Sequence, residues 1–210
     1  MSKLPNTLII GAQKGGSTWL YDILRNHPEV YLPEKVELLH FSKADCNSEI
    51  AKEKYSAHFE SVQKQHKIIA EKTPSYLWTY AQDTEDSLFS PAHNKNLVDD
   101  VKSQLGGDIN IILSLRHPVT RVISAFFHHA KRGRFPLNSS FNDSEKFFGM
   151  LDIGFYARHL KEWLKRYPKE QILTLIMERD IISSPNTGCE KLSNFHNISD
   201  FPEKINMKDK

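Results

Sequence analysis

The sequence has few cysteines, no long apolar run and no marked excess of either charge. Its 210 residues include two cysteines, Cys46 and Cys189, and neither belongs to a CxxC or Cys/His ligand pattern. This argues against a disulfide framework and against a zinc site, so two ordinary thiols are expected. No apolar stretch approaches the roughly 20 residues that a membrane helix needs, so no membrane partner is expected.

The charges nearly balance, with 28 Lys and Arg against 26 Asp and Glu. Nucleic-acid-binding domains usually carry a strong basic excess, so nucleic acid is not an expected partner and any anion site must be local. The apolar stretch near the N-terminus is about six residues long and runs directly into a glycine-rich turn, which is too short for the core of a signal peptide. We therefore expect a cytoplasmic protein.

Length and composition predict one globular domain. The chain is 39% hydrophobic and 26% charged, close to the average for globular proteins. A chain of this length usually forms one domain, which we place at residues 1–210.

Four short, continuous apolar segments predict buried strands: Thr7–Gly11, 67–70, Asn110–Leu115 and 171–177. Because they are continuous rather than alternating, they favour a parallel sheet covered on both faces. Helical spacing of apolar residues predicts helices between and after them, at 17–26, 119–131 and 155–167. Strands that alternate with helices predict an α/β class, a P-loop-like three-layer fold with a central parallel sheet flanked by helices.

Four other segments have weaker patterns. Residues 46–65 are polar and predicted to be partly helical, and 81–107 read as an exposed helical connection. Residues 132–144 have the turn residues of a surface loop, and 183–210 have weak periodicity and end in a charged tail.

The strongest local signal is a predicted strand, a glycine-rich turn and a predicted helix within residues 8–20. Gly15 and Gly16 allow the backbone to approach an anion closely, and the N–H groups of Ser17 and Thr18 open the helix, whose positive end favours phosphate. Lys14 adds a positive charge. A Walker A motif requires a lysine directly before the serine, where Gly16 stands, so the loop is of another kind. A tight turn that binds nothing is the alternative.

A second predicted anion site follows the third predicted strand. Arg116 stands where open α/β sheets bind ligands and can make a forked pair with an oxyanion. Ser124, two turns into the next helix, adds a hydroxyl, whereas Arg121 is expected to pair with an acidic side chain and brace the loop. Two phosphate sites at two strand ends suggest a nucleotide with phosphates at both ends of its ribose.

Together these motifs resemble the sulfotransferases that use 3′-phosphoadenosine 5′-phosphosulfate (PAPS), above all the heparan-sulfate type and its bacterial relatives. Residues 14–18 are similar to the family's loop for the 5′-phosphosulfate, and 116–124 match its Arg-x-Pro-x-x-Arg-x-x-Ser segment for the 3′-phosphate. Residues 71–76 match the intervening Glu-Lys-Thr-Pro-x-Tyr segment, and 154–175 are similar to a later helix and strand. The resemblance covers roughly residues 5–185.

The resemblance implies a donor, a product and a set of site residues. PAPS would be the sulfuryl donor and 3′-phosphoadenosine 5′-phosphate (PAP) the product, with no metal required. The cofactor-binding residues would be Lys14, Gly15, Gly16, Ser17, Thr18, Arg116 and Ser124. Lys14 and Lys72 would stabilise the transferring group, with Lys72 placed in the Glu-Lys-Thr-Pro turn. Tyr156 is a candidate for contact with the adenine, although its helix is more typical of core.

The resemblance also implies a hydroxyl or amine of a glycan or small metabolite as acceptor. The short basic run Lys131, Arg132 and Arg134 could attract an anionic acceptor, although a solvated loop is the simpler interpretation. Neither the acceptor nor the oligomeric state follows from the sequence.

The catalytic base is expected in the segment 33–41, which corresponds to a Lys-Glu-x-His-Phe-type segment of the family. Counting without gaps from Pro33 places Glu37 at the base position, whereas counting back from His40 places Leu38 there, which cannot accept a proton. We therefore predict Glu37 as the general base, with Glu34 as the second candidate. A solvated loop charge is the alternative for Glu37, and His40 is expected to orient the site or to be packed.

Members of the family usually continue into a basic Lys-Gly loop that closes over the cofactor. No such loop precedes Lys210, so we expect a single sulfotransferase domain that is short at its C-terminus. Two alternatives stay open: a P-loop small-molecule kinase and a non-catalytic module that binds PAP or PAPS. The kinase alternative predicts a lysine directly before Ser17 and a magnesium-binding aspartate at a strand end, where Arg116 stands instead.

Overall fold

A computed structural model of the protein describes residues 4–79, 94–135, 138–142 and 148–201. Its strands are β1 Thr7–Gly11, β2 Val30–Tyr31, β3 Ile68–Lys72, β4 Asn110–Leu115 and β5 Ile172–Ile176. Its α-helices are α1 Ser17–Leu24, α2 Glu49–Ser56, α3 Leu97–Leu105, α4 Pro118–Lys131, α5 Tyr156–Leu164 and α6 Pro185–His196. A π-helix, Met177–Ser183, joins β5 to α6.

The five strands form one parallel sheet in the order β2-β3-β1-β4-β5. Thr7 of β1 pairs with Ala70 of β3 on one side and with Asn110 of β4 on the other. After β1 the chain crosses to β2 and β3, and it then returns past β1 to β4 and β5. The direction of winding therefore changes between β1 and β4, the position where open parallel sheets bind ligands outside the carboxyl ends of their strands.

Apolar side chains fill both faces of the sheet. Along β1, the buried Leu8 and Ile10 belong to one core cluster and the buried Ile9 belongs to the other. The first cluster contains side chains of α2, α3 and α5, and the second contains side chains of α1 and α6. The fold is therefore the predicted three-layer α/β arrangement, because strands buried on both faces need helices on both faces.

The predicted bounds hold best for the central strands. β1 and β4 agree with the prediction residue for residue, whereas β3 continues to Lys72 instead of ending at Ala70. Lys72 is thus a strand residue and not, as predicted, part of the following turn. β2 was not predicted, because two residues at the edge of a sheet leave almost no pattern.

The helices differ from the prediction mainly in how much they bury. α3 lies within the segment expected to be exposed, yet it packs Leu97, Val98 and Val101 into the core. α6 was missed because its buried positions include the small residues Gly188 and Ser193 and so give a weak apolar period.

Parts of three predicted segments lie outside the described residues: 81–93 of the connection, 136–137 and 143–144 of the loop, and 202–210 of the tail. None of the helices in the described ranges has the length and apolar character of a membrane span. In the same ranges, no three His, Cys, Asp or Glu side chains are grouped so that they could hold a metal ion. Cys46 and Cys189 are both buried and unbridged, as expected.

Replacing Ile111 with alanine should destabilise the fold strongly. Ile111 lies in the central strand β4 with no exposed surface, so truncation leaves a cavity, and we expect a loss of about 2–5 kcal/mol in the free energy of unfolding. Ile50 on α2 is 66% exposed and allows the same substitution as a control, with an expected change within about 0.5 kcal/mol. Urea unfolding of both variants measures the difference, and equal losses would contradict the described core.

Candidate functional site

The glycine-rich loop between β1 and α1 lies against the end of β4. The Ala12 N–H donates to the Ser114 carbonyl at 2.8 Å, and the Ser114 hydroxyl donates to the Gly15 carbonyl at 2.5 Å. A Cβ added at Gly15 would lie far inside van der Waals contact with the Ser114 carbonyl oxygen. The contact between the loop and β4 therefore requires glycine at position 15, and it brings both predicted anion sites to one edge of the sheet.

The loop turns into α1 through backbone that favours glycine. Gly16, the residue before α1, has a φ of 101°, a conformation in which a side chain is strained. The first N–H groups of a helix have no partner within the helix, so those of α1 point out of its positive end. Ser17 is buried and Thr18 is exposed at this end. This arrangement of amides and hydroxyls suits an oxyanion.

Three cations converge beside the loop. Burial and the nearby charges of Arg116 and Arg132 lower the pKa of Lys14. In the part of the chain that the structure describes, no carboxylate forms an ion pair with any of the three. Like charges held together without a carboxylate attract an anion into the space between them.

Backbone contacts hold the segment after β4. The Tyr156 hydroxyl donates to the Arg116 carbonyl at 2.7 Å, and the His117 N–H donates to a carboxylate oxygen of Glu178 at 3.0 Å. The Arg116 side chain is braced in turn, because its Nε donates to the Thr120 hydroxyl at 3.1 Å. Tyr156 thus orients Arg116, and its hydroxyl is already engaged with the backbone.

Ser124 is half-buried on α4, two turns after Arg116. Within the described residues, its hydroxyl and those of Ser17 and Thr18 make no hydrogen bond. These three hydroxyls are therefore available to a ligand.

Arg121 does not pair with an acidic side chain, so that prediction is wrong. It is fully buried, and its guanidinium donates to the Met150 carbonyl. No carboxylate lies within ion-pair distance of it among the residues described. Its long side chain joins α4 to the segment before α5, and burial lowers its pKa.

An ion pair lies at the end of β3, next to the glycine-rich loop's strand. The Nζ of Lys72 is 3.5 Å from a carboxylate oxygen of Glu37; the Lys72 side chain is 4% exposed and that of Glu37 is 46% exposed. The Lys72 ammonium also lies 5.5 Å from the centre of the Tyr21 ring, which belongs to α1. The Glu37 carboxylate is therefore accessible from solvent, while its partner Lys72 is enclosed by the protein.

Within the segment 33–41, the Glu37 side chain is 46% exposed, whereas Leu38 and His40, the residues of the alternative count, are buried. Leu38 is buried in the core, and His40 stacks on the Tyr55 ring, with 4.1 Å between centroids, and bonds to Gln104. His40 is thus packed rather than directed at Glu37. Glu34 is exposed, and its charge contributes to the raised pKa of Tyr31, for which burial is the main cause.

Glu71 is a residue of this region to which the sequence analysis gave no role. Its buried carboxylate accepts hydrogen bonds from the hydroxyls of Tyr55, Tyr76 and Thr73, at 2.5, 2.7 and 2.9 Å. Desolvation raises its pKa, and the three hydroxyl donors act in the opposite direction. The available sequence signal was a glutamate that directly follows a buried apolar strand, within the motif 71–76. Such a glutamate needs hydrogen-bond partners if it is buried, because Asp and Glu are almost never fully buried unless partnered.

The basic run at the C-terminal end of α4 is divided by the structure: Lys131 ends the helix, and Arg132 and Arg134 follow it. Lys131 and Arg132 are exposed, and Arg132 contributes to the field at Lys14. Arg134 instead lies over the Phe148 ring and bonds to His129, whose pKa is lowered to about 4, mainly by burial. Lys131 and Arg132 are therefore solvated as predicted, although Lys131 ends α4 rather than lying in a loop, and Arg134 is packed against a ring instead.

Replacing Gly15 with alanine should destabilise the protein, because the new methyl group would push the loop away from β4. Overpacking of this kind costs about 1–3 kcal/mol. A Cβ at Gly107 meets nothing within 4 Å, so Gly107→Ala is the matched control and should leave stability nearly unchanged. Thermal and urea unfolding measure both variants; a Gly15→Ala protein as stable as wild type would contradict the contact with Ser114.

The Sulfotransferase domain family matches the chain over residues 4–208. Human heparan sulfate glucosamine 3-O-sulfotransferase 3B1 is 30% identical over 201 residues, which cover 92% of this chain and 46% of the relative. The mouse 3-O-sulfotransferase 5 is 24% identical over 210 residues, covering 94% and 55%. The chain thus spans about half the length of the curated relatives it matches.

Solved structures agree with the fold. The crystal structure of a sulfotransferase from Alicyclobacillus acidocaldarius matches with a TM-score of 0.71 at 22% identity, covering 98% of this chain and 87% of that chain. The sulfotransferase domain from the curacin biosynthetic pathway matches with a TM-score of 0.62 at 15% identity, covering 96% and 77%. With the family match extending over nearly all of the sequence, the chain belongs to the sulfotransferase family.

Proposed function

We propose that the protein transfers a sulfuryl group from PAPS to a hydroxyl or amine of a glycan or small-molecule acceptor. The observation that carries the proposal is the pairing of two features at one edge of the sheet. One is the cluster of cations at Lys14 and Arg116, which form no ion pair with any carboxylate among the described residues; the other is the ion pair between the buried Lys72 and the exposed Glu37.

The residues present fit a nucleotide with two separated anionic groups. The loop approaches β4 so closely that only glycine is accommodated at position 15, and the helix end beside it offers amides and two hydroxyls. Lys14, Gly15, Gly16, Ser17 and Thr18 would hold the 5′-phosphosulfate, and Arg116 with Ser124 would hold the 3′-phosphate. When bound, PAPS would supply an activated sulfuryl group.

Glu37 would accept the proton of the acceptor. A general base must be reachable by the acceptor, and almost half of the Glu37 side chain is exposed. Proton uptake neutralises the carboxylate, which leaves the Lys72 ammonium without its partner. Lys72 and Lys14 would then stabilise negative charge at the transferring group, as preorganised charges do in phosphoryl transfer.

A glycan is the acceptor that we favour. The human and mouse relatives are named as heparan sulfate 3-O-sulfotransferases. The exposed Arg132, whose charge acts on Lys14, lies beside the proposed donor site, and with its exposed sequence neighbour Lys131 it would attract an anionic chain.

Removal of either cation of the donor site should weaken the binding of PAP. We expect Lys14→Ala and Arg116→Ala each to cost about 1.5–3 kcal/mol, because each deletes a charged hydrogen-bond donor. Titration calorimetry with PAP measures this. Lys169 is exposed and precedes β5, at the opposite edge of the sheet, so Lys169→Ala should bind like wild type.

Calorimetry also separates the alternatives. If folded wild-type protein binds ATP with magnesium but not PAP, the proposal fails in favour of a kinase. Equal losses for Lys14→Ala and Lys169→Ala would show that the glycine-rich loop is not the anion site.

Replacing Glu37 with glutamine should abolish most of the turnover and leave PAP binding intact. Loss of a general base lowers the rate about 10²- to 10⁴-fold, and Glu37 touches none of the proposed cofactor residues. Formation of PAP from PAPS is followed chromatographically, with heparan sulfate and a panel of small alcohols and amines as acceptors. Glu34→Gln makes the same substitution at the second candidate and should leave turnover nearly unchanged if Glu37 is the base.

Full turnover by Glu37→Gln would refute the assignment of the base. A wild-type protein that binds PAPS and transfers to none of these acceptors would instead indicate a non-catalytic binding module.

A further inference from the structure

The backbone of the segment that carries Glu37 is hydrogen-bonded on both sides of Glu37. The Pro33 carbonyl accepts a hydrogen bond from the Tyr21 hydroxyl at 3.0 Å. At the other end, the Leu39 N–H donates to the Thr73 hydroxyl at 3.3 Å, and the Phe41 N–H donates to the Tyr76 hydroxyl at 3.1 Å. Glu37 lies between these points.

Leu39 needs this support because its backbone is strained. Its φ is 57°, a left-handed conformation that bulky side chains rarely adopt, and its side chain is 40% exposed. Such a conformation persists only where surrounding contacts impose it. Its own N–H bond to Thr73 and that of Phe41 to Tyr76 are these contacts.

Both hydroxyls owe their orientation to Glu71. The hydroxyls of Thr73 and Tyr76 donate to the same carboxylate oxygen of Glu71, at 2.9 and 2.7 Å. A hydroxyl has one proton, so a hydroxyl that donates to Glu71 has only lone pairs left for its other neighbours. One oxygen of the ionised carboxylate thus accepts from both hydroxyls, which leaves the lone pairs of both hydroxyl oxygens for the amides of the segment.

We propose that Glu71 is a positioning residue for the reaction: through Thr73 and Tyr76 it holds the segment 33–41 so that Glu37 stays against Lys72. The inference rests on the proposed function for its catalytic consequence, but its structural part is independent of any ligand. Glu71 and Lys72 are consecutive in β3 and therefore point to opposite faces of the sheet. Glu71 holds the segment through Thr73 and Tyr76 on one face of the sheet, and Lys72 pairs with Glu37 on the other face.

Tyr55 provides a matched control for Tyr76. Both rings are buried, and both hydroxyls donate to Glu71, but the Tyr55 hydroxyl makes no bond to the backbone of the segment 33–41. Phenylalanine at either position keeps the ring, including the stacking of residue 55 on His40. Each substitution therefore removes one hydroxyl that donates to Glu71, but only Tyr76→Phe also removes the acceptor of the Phe41 N–H.

Amide hydrogen exchange of the ligand-free protein tests the structural part. We expect Tyr76→Phe to speed exchange at Phe41, and Thr73→Val to speed exchange at Leu39, each by about tenfold or more, as for a lost hydrogen bond. Tyr55→Phe should leave both amides protected. Glu71→Leu should speed exchange at both amides, because an apolar side chain accepts from neither the Thr73 nor the Tyr76 hydroxyl. Equal protection in Tyr76→Phe and Tyr55→Phe would overturn the proposal whatever the protein catalyses.

Turnover tests the catalytic part. With PAPS and heparan sulfate, kcat of Tyr76→Phe should fall about tenfold below that of Tyr55→Phe, because the base is no longer held, while both variants bind PAP as wild type does. If wild type turns over and the two variants have the same kcat, the positioning role is refuted and the proposed function stands. If wild type does not turn over although the exchange results agree, the proposed function fails and the role of Glu71 in holding the segment stands.

Discussion

The close contact between the glycine-rich loop and the end of β4 determines where everything else in the site can lie. Ala12 and Ser114 are joined backbone to backbone, and Gly15 has no room for a side chain. This contact places the end of β1 beside the end of β4, where the winding of the sheet changes direction. Lys14 and Arg116 are consequently close enough for each to feel the other's charge. An anion bound between Lys14 and Arg116 relieves this repulsion, so the pair favours an anion more than either residue would alone.

The neighbouring strand β3 contributes the second half of the site by its alternation. Glu71 and Lys72 are adjacent charged residues with almost no exposure, and each is stabilised in a different way. Hydroxyl groups surround Glu71 on the face that α2 and α3 cover, while Lys72 meets Glu37 and the Tyr21 ring on the side of α1. A shift of one residue in the register of β3 would exchange the two faces and destroy both arrangements at once.

Much of the fold could be predicted because its central strands carry a strong local signal. Continuous apolar runs fixed the bounds of β1 and β4, and with them the positions of Lys14 and Arg116. β3 was cut short because a charged pair ends its apolar run, although Glu71 and Lys72 are as buried as the residues before them. Of the partners that make the burial of Glu71 tolerable, Thr73 and Tyr76 belong to the same short motif, 71–76, whereas Tyr55 comes from α2. A local pattern could therefore indicate the first two partners but not Tyr55.

The candidate site shows the same division between local and non-local information. The glycine-rich loop is a local motif, so its residues could be named from the sequence. The choice between Glu37 and its neighbours depended on a count through a segment without secondary structure, and the contact with Lys72 joins residues 35 positions apart. Arg121 shows the failure of such reasoning, because its partner is a backbone carbonyl, which no pattern of side chains can indicate.

The cost of burying Glu71 indicates what its cluster contributes. Moving a carboxylate out of water costs several kcal/mol, and each hydrogen bond to a charged group returns about 1.5–3 kcal/mol. Three hydroxyl donors therefore roughly offset the desolvation and leave little net stability. An apolar side chain at position 71 would fill the core at no such cost, but it could not orient the hydroxyls that hold Leu39 and Phe41. The charged cluster thus contributes little to stability. Its contribution is to orient the Thr73 and Tyr76 hydroxyls, which fix the backbone of the segment that carries Glu37.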